Sequence, residues 1–128
     1  MLSLTACGND VFLRGNETYD RIYSPHFSQG YYEPDVACHW TVSVPQGQRL
    51  KITFDSVNLG SGLCNYDFLK INGVNYCTPP SKYILSKTDT VTVIFYSTPG
   101  DGKKPGGFQL MAEVEGKCDH SVLVCDSA

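Results

Sequence analysis

The stretch Cys38-His39-Trp40-Thr41-Val42-Ser43-Val44-Pro45-Gln46-Gly47-Gln48-Arg49-Leu50-Lys51-Ile52-Thr53-Phe54 decides the fold class. Trp40, Val42 and Val44 alternate with His39, Thr41 and Ser43, and Leu50, Ile52 and Phe54 alternate with Arg49, Lys51 and Thr53. Successive side chains of a strand point to opposite faces, so each run offers an apolar face to a core and a polar face to water. Pro45-Gln46-Gly47 between the two runs reads as a tight turn. The pattern is that of an antiparallel sheet half exposed to solvent.

The same period extends outward. Val91, Val93 and Phe95 alternate with Thr92 and Tyr96, with Ile94 interrupting the polar row. Phe108, Leu110, Ala112 and Val114 alternate with Gln109, Met111 and Glu113. Asn72-Gly73 behind residues 68–71 is a hairpin signal, and residues 78–81 and 99–107 read as loops. No segment carries a sustained helical period, and the chain has no internal repeat. Short strands at this spacing predict an all-β sandwich or barrel. The pattern stops after Val114, so residues 115–128 read as an appendage carrying two cysteines of its own.

The 128 residues suit one domain, and 41% hydrophobic side chains are enough to close a single core. Ten Lys+Arg against thirteen Asp+Glu give a net charge of −3, against the basic face that nucleic-acid binding requires. No apolar run approaches the roughly 18 residues of a membrane helix. Six cysteines with no C-x-x-C pair fit a disulfide framework rather than zinc or a redox site. Disulfides persist in oxidising compartments, which predicts a secreted protein or an ectodomain. The sequon Asn16-Glu17-Thr18 points the same way. Residues 1–6 are too short for a secretory signal, which predicts a removed leader or a start at a domain edge.

In their order, these landmarks resemble a CUB domain. The likeness begins at Cys7-Gly8 and runs through Ile22-Tyr23-Ser24-Pro25 and Phe27-Ser28-Gln29-Gly30-Tyr31 to Cys38-His39-Trp40-Thr41-Val42. Pro45-Gln46-Gly47, the strand at 50–54, Cys64-Asn65-Tyr66-Asp67-Phe68-Leu69 and Tyr76-Cys77 follow, then Phe95-Tyr96-Ser97 and Gly107-Phe108. The resemblance covers residues 7–114 and implies a two-sheet antiparallel β-sandwich of the CUB-like jelly-roll kind, stapled by disulfides. It also implies the pairs Cys7–Cys38 and Cys64–Cys77; Cys118 and Cys125 are left over, outside the family pattern, for a local bridge with each other or, as the alternative, bonds to another molecule or a neighbouring domain. Each family-type bridge contributes about 3–4 kcal/mol on a chain-entropy estimate.

The resemblance raises one metal question. Many CUB domains hold calcium at one end through an aspartate of the C-x-Y-D motif, an upstream glutamate, an aspartate after F-x-S and an early-loop tyrosine. Asp67 and Tyr31 match the first and last of these. The other two positions fall on Gly60 and Thr98, so two of three carboxylates are missing and no cofactor is expected. Asp101 would substitute only through a folded-back loop; otherwise Asp67 bonds to loop backbone or to Tyr31.

Catalytic patterns are lacking. His26, His39 and His120 show no H-E-x-x-H spacing, no serine sits in G-x-S-x-G, and the glycine-rich Gly100-Asp101-Gly102-Lys103-Lys104 lacks the ending of a phosphate loop. The expected function is therefore non-catalytic recognition of an extracellular protein by end loops on a rigid scaffold. Phe27, Tyr31 and Tyr32 and an exposed Lys103-Lys104 pair are the candidate binding residues. The alternative is a secreted lectin-like protein, similar to the seminal-fluid members of the family, with Tyr31, Tyr32 and Tyr83 stacking on sugar rings.

Overall fold

The computed structural model of the chain describes residues 5–14, 19–60, 66–100 and 102–117. In order, these residues form β1 (Thr5–Cys7), β2 (Asp10–Phe12), β3 (Tyr19–Tyr23), β4 (Tyr31–Tyr32), β5 (Val36–Ser43) and β6 (Gln48–Asn58). Then come β7 (Phe68–Ile71), β8 (Val74–Tyr76), β9 (Ile84–Leu85), β10 (Thr90–Ser97), β11 (Lys104–Pro105) and β12 (Gly107–Lys117). A short 3-10 turn, Phe27–Gln29, precedes β4. One sheet has the order β1-β5-β10-β7-β8, with β2 also on β5; the other is β3-β12-β6-β9; β4 and β11 form a separate pair. No helix among the described residues is long and apolar enough to cross a membrane.

The alternation of the sequence is the burial pattern of the sheets. Trp40, Val42 and Val44 of the first run are buried, as are Leu50 and Ile52 of the second; Val91, Val93 and Phe95 join them from β10, and Phe108, Leu110 and Ala112 from β12. Full burial of each large apolar side chain contributes about 1.5–3 kcal/mol. Phe108 ties the layers together: its ring meets Trp40 edge-on at 5.7 Å and Phe95 at 5.2 Å, both on the facing sheet. Edge contacts suit the aromatic quadrupole.

Three details differ from a simple meander. β1 and β2 lie parallel to β5, so the amino-terminal edge of an otherwise antiparallel sandwich is parallel. This register sets Cys7 opposite Cys38, and the two are joined by a disulfide. Gly8 follows because a Cβ there would run into the backbone of His39. Second, β6 is longer than its alternating core: Leu110 pairs with Phe54 but Gln109 with Ser56, leaving Asp55 as the extra residue of a bulge. Beyond it the inward parity flips from Leu50 and Ile52 to Val57 and Leu59, which are buried. Third, Lys104 and Pro105, inside the expected loop 99–107, form β11. β12 itself runs to Lys117, and Cys118 and Cys125 lie outside the described residues.

The expected turns form as read. The Gln48 amide donates to the Pro45 carbonyl at 3.1 Å. Asn72 and Gly73 take φ of 47° and 88° between β7 and β8, the left-handed pair that a two-residue hairpin needs.

Candidate functional site

One end of the sandwich is formed by the connections from β3 to β5 and from β10 to β12, together with Gly60 and Asp67. Buried serines pin these connections. Ser24 Oγ accepts from the Phe108 amide at 3.0 Å. Ser97 Oγ donates to the Glu33 carbonyl at 2.6 Å and accepts from the Val36 amide at 3.2 Å. β4 and β11 then bridge the two connections, with Lys104 opposite Tyr32 and Pro105 opposite Tyr31. Directly opposed residues of a strand pair share a face, so Tyr32 and Lys104 turn inward together.

Asp67 sits at the meeting point and is buried. Its Oδ2 accepts from the Tyr32 hydroxyl at 2.6 Å, and its Oδ1 from the Thr98 amide and hydroxyl at 2.9 Å each. The Lys104 ammonium donates to both carboxylate oxygens at 3.1 Å, and to the Thr98 carbonyl and hydroxyl at 3.0 Å. The Tyr32 hydroxyl also accepts from the Gly60 amide at 2.9 Å. Burial alone would push the Asp67 carboxyl up; the Tyr32 hydroxyl, the Thr98 amide, the Lys104 ammonium and the Thr98 hydroxyl outweigh it and hold the group below the usual carboxylate range. Burial, and then the bond to Asp67, push the Tyr32 phenol well above its ordinary value.

The structure divides the sequence candidates into an inner and an outer set. Tyr31 does not join Asp67; its neighbour Tyr32 does. Tyr32 is 1% exposed, so it is no surface residue for a partner or a sugar. Lys104, expected as half of an exposed pair, is engaged inside because β11 opposes it to Tyr32. Lys103 is exposed, with its ammonium 4.4 Å above the Tyr31 ring. His26 stacks on that ring at 4.8 Å. Phe27 is half-buried, and a Cβ on Gly107 would touch its ring. The bonds of Thr98 to Asp67 and the inward role of Lys104 escaped the sequence reading. One signal was there for the tyrosines: Tyr31 and Tyr32 are neighbours on a strand and point opposite ways, so one of them faces in.

His39 is exposed, and His120 lies outside the described residues, as do Asn16, Cys64 and Asp101. Cys77 is disulfide-bonded. Among the described residues no group of three His, Cys, Asp or Glu is placed to hold a metal ion. The Asp67 site itself does not fit calcium. That ion takes about 6–8 oxygen ligands, whereas here the four oxygens of Asp67 and Thr98 surround an ammonium, and a divalent cation against Asp67 would meet it directly.

A disulfide-stapled β-sandwich of two facing sheets, closed at one end by a cluster of loops, is the class of fold these residues define. The chain belongs to the CUB domain family, whose profile matches residues 7–111. It is 27% identical to the Bos taurus "Suppressor of tumorigenicity 14 protein homolog" over 96% of its own length and 16% of that protein's, so it spans about a sixth of that relative. The "Full extracellular region of zebrafish Gpr126/Adgrg6" superposes with a TM-score of 0.69 at 24% identity, over 88% of this chain and 15% of that one. The "MASP-1 CUB2 domain bound to Ca2+" superposes with a TM-score of 0.62 at 19% identity, over 80% and 96%.

Proposed function

We propose that the chain is a non-catalytic, extracellular protein-recognition module that grips its partner with the outer surface of the Asp67 end. The observation that carries this reading is the surface group in which exposed His26 and Lys103 flank the half-buried ring of Tyr31, next to the β4–β11 pair whose inward residues are locked by the buried Asp67 cluster. An aromatic ring beside a cation on a rigid frame loses little entropy on binding and suits the centre of an interface. The zebrafish structure, an extracellular region by its own description, supports the compartment. In this reading the binding unit is the sandwich that begins at Cys7 and closes with β12, Cys64 is joined to Cys77 and Cys118 to Cys125, Asn16 carries a glycan, and only the residues that follow β12 are an appendage.

The test compares capture from extracellular fluid by the wild type and by Tyr31→Ala and Lys103→Glu variants, each at unchanged Tm. The same protein should be retained by the wild type and weakened at least about tenfold by each change, as for a residue central to an interface. Equal capture by all three chains would refute it.

A glycan-binding reading keeps one feature in its favour, a cleft of about 280 Å³ lined by Thr53, Phe54, Pro80, Ser81, Lys82 and Tyr83. Saturable sugar binding on an array, abolished by Tyr83→Ala, would favour it.

A further inference from the structure

We propose that the Lys104 ammonium is a built-in cation of the loop end, so that this end of the sandwich assembles without calcium.

Charge and geometry agree on this. One carboxylate, Asp67, faces one ammonium, and both Asp67 oxygens lie 3.1 Å from it. The other two oxygens around the ammonium belong to Thr98, through its carbonyl and its hydroxyl at 3.0 Å. An ammonium has three donors, and four acceptors within reach leave none of them idle. Those distances are ordinary hydrogen-bond lengths and well above the roughly 2.3–2.6 Å of calcium–oxygen contacts.

The remaining members of the cluster are neutral. Thr98 adds its amide and hydroxyl to Asp67 Oδ1, and the Gly60 amide reaches the Tyr32 hydroxyl. No aspartate or glutamate occurs from Ser56 to Tyr66 to add the charge that a divalent ion would need. A related fold, the MASP-1 CUB2 domain, is described as bound to Ca2+. Here the cation comes instead on a side chain, delivered by the pairing of Lys104 with Tyr32. A covalently attached cation cannot dissociate, so the partner-facing loops keep their shape at any calcium concentration.

The experiment has two arms on the whole chain. In the first, thermal unfolding is followed in EDTA and in millimolar calcium chloride. The wild-type Tm should be the same in both, and Lys104→Met should lower it by roughly 10 °C or more, the effect of stranding a buried carboxylate. The second arm needs no variant. Brief acetylation of the folded wild type, mapped by mass spectrometry, should modify Lys103 at least an order of magnitude faster than Lys104, in EDTA as in calcium. Three results would overturn the proposal: a wild-type Tm raised by calcium, a Lys104→Met protein as stable as the wild type, or Lys104 acetylated as fast as Lys103.

Discussion

The two ends of the sandwich are closed by different chemistry. At one end the chain turns on local signals. Pro45 and Gln48 close the link from β5 to β6, and Asn72 and Gly73 close the hairpin from β7 to β8. Ser86 there bonds the Leu50 amide and the Thr88 carbonyl, both at 2.7 Å. At the other end the decisive contacts join residues far apart in sequence, Tyr32 to Asp67 across 35 positions and Lys104 to Asp67 across 37. A turn made of its own residues can form before the fold does. A buried charge pair forms only once three segments have been brought together, because until then water solvates each charge better. One end is therefore robust and generic, while the other is conditional on the fold and rigid once formed.

The largest way to break that contrast is Asp67→Asn. It leaves the part-buried Lys104 ammonium facing a neutral amide and should cost about 3 kcal/mol, the lower end for removing one partner of a buried pair, because the ammonium keeps some access to water. Urea unfolding measures it directly. A loss under about 1 kcal/mol would mean that the pair is solvated like a surface bridge.

Acid should reach the same contact by titration. The folded-state pKa of Asp67 is depressed, so its contribution is fully present above the unfolded carboxylate value of about 3.9 and is lost as pH falls through the lower folded value. Amide hydrogen exchange separates the two ends. Below about pH 4 the Thr98 amide, which donates to Asp67, should lose protection before the Asn72 amide, which donates to the Thr92 carbonyl. Simultaneous loss would show that the ends open as one cooperative unit.

Legibility in the sequence follows the same divide. The core faces of β5, β10 and β12 and the turns at 45–47 and 72–73 were readable because period two and turn chemistry are local properties. The bulge at Asp55 was not, since an extra residue shows only against the partner strand, here Gln109 and Leu110. Nor was the choice between Tyr31 and Tyr32, or between Lys103 and Lys104. Parity requires one of Tyr31 and Tyr32 to face inward, but which tyrosine and which lysine do so depends on the register of β4 against β11, a pairing between segments about 70 residues apart that no local pattern encodes. Thr98 was noticed only as a missing carboxylate, because its four bonds to the cluster come from its backbone as much as from its side chain.

A smaller effect probes the generic end. Gly73 has φ of 88°, so Gly73→Ala should cost about 1–2 kcal/mol, the penalty for a side chain in the left-handed region. Because the strain is confined to the hairpin, exchange at Thr98 should track only the change in global stability. A selective loss of protection at Thr98 would mean that strain at one end is transmitted through the core to the other.

The smallest effect is the sharpest control. Lys103 and Lys104 are adjacent and chemically identical, so any difference between them comes from the face each occupies. Lys103 lies over the exposed side of Tyr31 at 4.4 Å, where a cation–ring contact is worth about 0.5–1 kcal/mol before the entropy of holding the chain is subtracted. Lys103→Ala should accordingly change stability by no more than about 0.5 kcal/mol, measured by the same urea titration as Asp67→Asn. A loss comparable to that of Lys104→Met would place both lysines in one cooperative cluster. A near-zero value would leave Lys103 available for a partner, because its ammonium would have no large internal contact to give up on binding.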